Sequence, residues 1–524
     1  MTPTFGRPRT DVNPWLIAAT VMLATFMEVL DTSVANVSLP HIAGNLSSSV
    51  DEATWVLTSY LVANAVVLPM SGWLSILFGR KRFYMTCVML FTLSSMACGL
   101  APSLPLLVLF RVLQGLAGGA LQPISQAILV ESFPGEKQGM AQAVYGMGVV
   151  VAPVIGPTLG GWITDNYTWR WIFFINIPVG ILSLVMTYMM VTDPPYLAER
   201  RKRGVHIDTI GIGLLALGLA SIELMLDEGQ KKDWFSSPTI VLAAVLGVFG
   251  LVAVVLWELR QKEPIVDFRM LKDRNFAIAT GAMFLLGFVL YSSTAMLPIY
   301  LQTLMGYNAT TSGEVISPGG LAIIVMMPIV GRLVSKVDPR WLVISGLAVS
   351  SLGLFQMSHF NLDIDFKTAM TARVVQSIGL AFMFIPINVT AFAFVPKEKT
   401  NFATGLVNLA RNMGGSSGIA LSTTLLFRRT QFHQQNLVSH MTPLDPAYQS
   451  AMQGLSRAFT QKGSDPVQAL NQAQGTLYGM LQQQANMRAF VDVFWLLGVI
   501  FLAVVPLVFL MKKVEPRKGA VMVE

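Results

Sequence analysis

The chain has 524 residues, 53% of them hydrophobic and only 12% charged, with a mean hydropathy of +0.58. Soluble proteins carry roughly 25% charged residues, so the composition excludes a soluble enzyme or binding module and fits a membrane protein. The net charge of +7 sorts by loop and reports orientation, not a nucleic-acid partner. The two cysteines, Cys87 and Cys98, lie about 16 Å apart along one predicted helix. They cannot bridge each other, and a disulfide scaffold and a CxxC metal site are both excluded.

Fourteen apolar runs long enough to cross a bilayer are predicted in chain order at 14–40, 53–78, 83–101, 104–130, 140–164, 170–192, 208–227, 238–258, 276–305, 311–334, 341–360, 368–395, 401–427 and 489–511. The first is preceded by a short segment and followed by no small-residue cleavage site, so it reads as a retained helix and not a signal peptide. With the N-terminus inside, most Lys and Arg fall on the inner side. They include Arg80-Lys81-Arg82, Arg200-Arg201-Lys202-Arg203, a group between Arg260 and Arg274, and Lys512-Lys513. Short outer loops hold only Arg170, Lys231, Lys232 and Lys367. The pattern places both termini in the cytoplasm.

Charge buried in a span costs on the order of 3 kcal/mol per residue, so the few ionisable residues within the runs need partners. Glu28 and Asp31 share a face of the first span, with Asn36 further along it. In the fourth span Arg111, Gln114, Gly115, Gly118 and Gln122 share a face. Asp31 and Arg111 fall about 13 and 10 Å below the outer ends of their spans, close enough in depth to pair. An acid that exchanges between an arginine and an apolar or watered environment meets the requirement for a proton carrier, and Asp31, Glu28 and, in the seventh span, Glu223 are the candidates. Pro153 and Pro157 in the fifth span remove backbone donors and are expected to kink the helix, and Gly156, Gly160 and Gly161 leave a groove for a neighbouring helix. Glu131 and Glu314 fall near span ends and read as water-facing.

A shift of 262 residues superposes Arg111 on Arg373, Val112 on Val374, Gln114 on Gln376 and Gly156 on Gly418. This implies duplication of a six-helix unit. The predicted organisation is an N-terminal bundle over 1–192, a linker with two additional spans over 193–275, and a C-terminal bundle over 276–524. Repeated membrane folds of this kind are typically transporters with the site at the repeat interface. The polar candidates to line such a site are Asn36, Gln114, Gln122, Tyr291, Asn388, Asn408 and Arg411. Ser293 stands where the second half would place its copy of Asp31, so Arg373 is expected to serve folding or packing more than coupling. The polar segment 428–488 carries Met452, Leu455 and Phe459, then Leu470, Ala473, Leu477 and Leu481, at helical spacing. It reads as short amphipathic helices outside the membrane, capping the mouth of the molecule or docking a partner.

No catalytic constellation is present. The five histidines are scattered without an HExxH pair, and there is no GxxxxGK[ST] phosphate loop, which argues against enzymatic or ATP-driven chemistry. Three further readings stand beside a broad-range transporter: a transporter of one defined metabolite, a membrane enzyme acting on lipids, which lacks clustered polar residues at a membrane face, and an ion channel, which fits poorly with paired buried charges.

"GWLSILFGRKR" (Gly72, Gly79 and Arg80 among its residues), "FRVLQG" and "APVIGPTLGGW" resemble the loop, helix-4 and antiporter motifs of the major facilitator superfamily. "VLDTSVANVSLP" and "WRWIFFINIPVG" resemble signatures of its fourteen-helix drug:proton antiporter branch, the EmrB-type multidrug exporters. One departure is that Ile76 and Leu77 replace the acid and arginine of the loop motif. The resemblance implies an all-α polytopic fold of two six-helix bundles plus two extra helices. It implies efflux of lipophilic or cationic drugs driven by the proton gradient, with no cofactor, and proton-coupling roles for Asp31 and Arg111. It also implies a bacterial inner membrane, a periplasmic adaptor (EmrA-like) and an outer-membrane channel (TolC-like).

Overall fold

The computed structural model describes residues 13–194, 196, 197, 199 and 207–512. Arg200–Arg203 and Lys513, part of the predicted inner basic groups, lie outside the described residues. Among the described residues, thirteen helical segments are long and apolar enough to cross a membrane. The solution is forced by lipid, which offers no partner to an open backbone donor or acceptor. In chain order the spans are α1 (Pro14–Val37), α2 (Trp55–Phe78), α3 (Arg80–Leu100), α4 (Leu104–Gly118, resumed at Leu121–Ser132), α5 (Gln138–Asn166), α6 (Asn176–Met190), α7 (Thr209–Glu228), α8 (Pro238–Glu258), α9 (Arg274–Thr303), α10 (Ala309–Leu333), α11 (Pro339–Met357), α12 (Phe366–Phe392), α13 (Thr400–Val438) and α14 (Pro466–Phe509). α13 is too polar to qualify by hydropathy, since it carries Asn401, Asn408, Arg411 and Asn412, yet it packs among the others as the fourteenth. Helix starts are marked by capping side chains: Asn13, Asp208, Asp273, Asn308, Asp338, Asp365 and Asp465 each accept from a first-turn N–H.

The fold is that of two six-helix bundles, α1–α6 and α9–α14, with α7 and α8 paired between them in sequence and α7 packed on α2 and α13. α1 begins at what is called here the near face; with fourteen crossings α14 ends there too, and the two ends of the helices alternate between near and far. The bundles meet along two seams, α5 on α10 and α2 on α13. Each seam joins the fifth helix of one half to the second helix of the other, as a pseudo-two-fold axis requires. Gln126 and Asn388, 262 positions apart and so equivalent in the repeat, hydrogen-bond each other at 2.7 Å and therefore mark that axis.

At the near face the seams are shut. Asn401 donates to Ser75 Oγ at 3.0 Å, and Gly72 lies against the backbone of Asn401 and Phe402. Across the other seam Gly139 lies against Gly331. At the far face the α7–α8 hairpin ties the halves together: Asp227 accepts from Thr58 of α2, while Trp234 Nε1 donates to Thr424 of α13 at 3.0 Å.

The outer segment corrects the sequence reading. Helices are present at both predicted stripes, but the second is fused to the last span, and α13 continues past its predicted end at 427. At 1.5 Å per residue, α13 and α14 are roughly 58 and 66 Å long, about twice the ~30 Å apolar layer. Their far ends form a hairpin clasped by Arg429 and His433 on Asp492 (2.6 and 2.8 Å) and by Thr430 on Asn486 (2.9 Å), with the helix Pro446–Gln461 packed on α14.

Candidate functional site

Asp31 and Arg111 pair as the matching depths predict. Arg111 Nη1 donates to Asp31 Oδ2 at 2.5 Å, and both side chains are essentially inaccessible. The carboxylate also accepts from Gln114 Nε2 at 3.0 Å and Asn176 Nδ2 at 2.7 Å. Arg111 is held in turn by the Val56 carbonyl (2.9 Å), by Gln114 Oε1 (2.8 Å) and by the face of Tyr60, 4.3 Å from its guanidinium carbon. α1, α2, α4 and α6 thus converge on one buried ion pair whose carboxylate oxygens are satisfied, which offsets part of the cost of burying the charges, although Arg111 Nη2 has no hydrogen-bond partner among the described residues.

One turn nearer the near face, Glu28 accepts from Tyr60 Oη and Asn64 Nδ2 (3.0 Å each) and from Gln122 Nε2 at 2.5 Å. Gln122 Oε1 accepts from Arg411, so the acid of one bundle and the arginine of the other are joined through a single amide. Glu28 lines a cavity of about 120 Å³ between the bundles, with Gln122, Glu223, Tyr291, Asn412 and Ser416. Glu223 enters this wall from α7, where Ser416 Oγ donates to it at 2.5 Å.

The other polar candidates separate. Gln114 belongs to the Asp31 cluster and does not line the cavity. Asn36 is exposed at the far end of α1, because its position on the helix turns it away from the bundle interface. Asn388 and Asn408 lie in an amide network with Gln126, in which Asn408 also accepts from Tyr145 Oη at 2.8 Å; they seal the seam rather than line the cavity. Tyr291 and Gln122 line the cavity, and Arg411 is buried beside it, donating to Asn412 at 3.4 Å.

The motif residues have identifiable work. Pro157 has no N–H to give the Pro153 carbonyl; Ser33 Oγ of α1 donates there instead, at 3.1 Å. Gly156 and Gly160 let α1 approach at Ser33 and Val34, and Gly161 is buried beside them. α5 runs unbroken through both prolines. Gly79, at φ 86°, turns the chain from α2 into α3 in a conformation that a side chain disfavours. Arg80 makes a bidentate pair with Glu131 (2.9 and 2.8 Å), and Tyr196 Oη adds a third bond to that carboxylate at 2.7 Å. Glu131 is therefore a half-buried partner of Arg80, not the water-facing residue its place near a span end implies; Glu314 is exposed as expected. Burial pushes the Tyr196 phenol above its ordinary range, so it stays a donor. Arg80→Ala strands Glu131 without its cation and should cost about 3 kcal/mol, read as a lower melting temperature in detergent, with Arg80→Lys recovering part.

Arg373 repeats the Arg111 geometry around Ser293. Its Nη1 donates to Gln376 Oε1 at 2.8 Å and Ser293 Oγ at 3.2 Å, and Gln376 Nε2 donates to Ser293 at 2.7 Å. The second half has kept the frame of the site without its acid. Residues the sequence reading passed over are Tyr60, Asn64, Asn176, Gln126 and Ser416, each a polar side chain inside an apolar span, which was the available signal.

A multi-pass helical protein with two seam-related bundles and a polar cavity between them defines a membrane transporter. The chain belongs to the Major Facilitator Superfamily, whose family model matches residues 21–419. It is 35% identical over 501 residues to "Multidrug export protein EmrB" of Escherichia coli (strain K12), covering 95% of each chain. It is 36% identical over 504 residues to the protein of the same name in Haemophilus influenzae, again covering 95% of each. It is also 36% identical over 496 residues to "Fatty acid resistance protein FarB" of Neisseria gonorrhoeae, covering 94% of each. Among solved structures, the proton:xylose symporter XylE superposes with a TM-score of 0.61 at 14% identity, covering 96% of this chain and 97% of that one; this concerns the fold alone.

Proposed function

We propose that the chain exports lipophilic or cationic toxic compounds by proton-coupled alternating access. The observation that carries the reading is the Asp31–Arg111 pair, buried next to an inter-bundle cavity that Glu28 and Glu223 line. Protonation of Asp31 removes the anion that Arg111 faces and leaves a buried cation uncompensated, a state worth several kcal/mol that favours rearrangement. A proton moving through ~100 mV supplies about 2.3 kcal/mol. The names of the relatives support drugs as the cargo, and a transport role in place of catalysis. Expression in a pump-deleted host should raise tolerance across several unrelated lipophilic cations. Protection against a single compound would favour one defined substrate, the reading to which the gonococcal relative's name lends weight.

The proposed setting is a bacterial inner membrane with the near face cytoplasmic. Cysteines at Lys262 should then be labelled only from inside and those at Asp233 and Ser450 only from outside; Ser450 labelled from inside would end the even-span topology. The far-face hairpin is proposed to meet an EmrA-like adaptor leading to a TolC-like channel. Trimming the hairpin beyond Asp492 and Arg429, the clasp that closes it, should preserve transport in liposomes and lower resistance in cells. Equal loss in both assays would count against an adaptor.

A further inference from the structure

Away from the central cavity, a groove of about 490 Å³ opens between α1, α5 and α6 in the far half of the molecule. Its size falls in the range of small-ligand sites, ~300–1,000 Å³. Its walls are Phe26 and Leu30 of α1, Leu159 of α5 and Val179 of α6, and Asn176 lies among them. Asn176 donates its amide to both Asp31 Oδ1 and Ser95 Oγ (2.7 and 2.9 Å), so the groove adjoins a direct partner of the buried ion pair. We propose that this groove is a binding site for the acyl chain of a bilayer phospholipid, which seats Asn176 against Asp31.

Three features point to that occupant. The walls belong to membrane-spanning helices and are almost wholly apolar. The rim is a set of neighbouring rings, Trp162, Tyr167 and Trp171, that are 52%, 59% and 51% exposed and 5.7 to 6.2 Å apart in sequence of contact; such rings sit at headgroup level. Trp171 opens a short helix, Trp171–Phe174, that leads through Ile175 into α6, and at the helical rise it lies about 7.5 Å from Asn176, the depth of the first methylenes of a chain whose headgroup lies at the rim. Next to Trp171, Arg170 stacks on Trp169 and donates to the Gly99 and Ala101 carbonyls. No carboxylate pairs with it among the described residues, which leaves its charge for a phosphate.

The full chain is reconstituted in vesicles that contain a phospholipid with a photoreactive diazirine on the upper acyl chain. Labelled peptides are mapped after irradiation, with Val245 and Phe249 on the exposed face of α8 as the reference for general lipid contact. Peptides that carry Leu159–Trp162 and Ile175–Val179 should be labelled several-fold above that reference. Leu159→Trp and Val179→Trp, made separately and checked for monodisperse elution, each fill the groove and should remove the excess label while lowering proton-linked transport. Label no stronger than on α8, or label unchanged in both well-folded variants, overturns the proposal. Displacement by a lipophilic cation but not by excess unlabelled phospholipid overturns it too, and makes the groove a drug site. The labelling is independent of what the chain transports, so its outcome stands apart from that of the proposed function.

Discussion

Asp31→Asn should abolish efflux against a gradient in proteoliposomes with an imposed pH difference, while binding of a fluorescent lipophilic cation is retained. The substitution is nearly isosteric and leaves Gln114 and Asn176 an oxygen to donate to, but it removes the proton that the cycle must take up and release. It also leaves Arg111 buried without an anion. A penalty of about 3 kcal/mol on one of two conformations corresponds to on the order of 100-fold in their ratio, enough to hold the molecule in a single state. Arg111→Lys keeps the charge but loses the fork that reaches Gln114, Val56 and Asp31 together, and transport should fall with it. Active efflux by Asp31→Asn at the wild-type rate, with protons still moving, would sink this mechanism and turn attention to Glu28 and Glu223.

Gly139→Leu should be as severe by a different route. A Cβ at Gly139 would come within 2.5 Å of the Gly331 carbonyl oxygen and would also strike Val334. Backbone on one side and a packed side chain on the other cannot both yield. The larger residue should wedge the near face apart, so that cysteines placed along the α5–α10 seam become reactive from the near side and transport drops to background. Gly281→Leu is the control: nothing lies within 4 Å of a Cβ there, and transport should be unchanged. Transport by Gly139→Leu at the normal rate would mean that this contact does not have to form during the cycle.

Much of this architecture is written in hydropathy because lipid makes the rule simple. The starts of α1 and α8 fall on the predicted residues, Pro14 and Pro238, and the Asp31–Arg111 pairing follows from two depths. What escapes the rule is whatever depends on polar side chains that lipid never meets. Asn176 is hidden in "FFINIPVG", and the sequence alone does not say that its amide turns toward α1. Glu131 looks water-facing because it closes a span; only the fold brings Arg80 beside it. Glu223 reads as a coupling acid from its place in an apolar span, but its partner, Ser416 of α13 across the cavity, is supplied only by the fold. The ends of α13 and α14 were illegible for the opposite reason. Gln-rich sequence remains helical outside the bilayer, so the polarity that marks the end of a span does not mark the end of a helix.

That continuity has a mechanical consequence. α14 is one rod of roughly 66 Å, anchored among α9, α11 and α13 over its lower part and joined beyond them, among the described residues, only to the α13 extension and the helix Pro446–Gln461. A rod clamped at one end is a lever. A tilt of the C-terminal bundle too small to separate its own neighbouring side chains becomes, at Pro466 and the helix packed beside it, a lateral sweep magnified by the length of the arm. The hairpin therefore broadcasts the state of the cavity to whatever touches its tip, and a load on the tip bears back on the cavity with the same leverage.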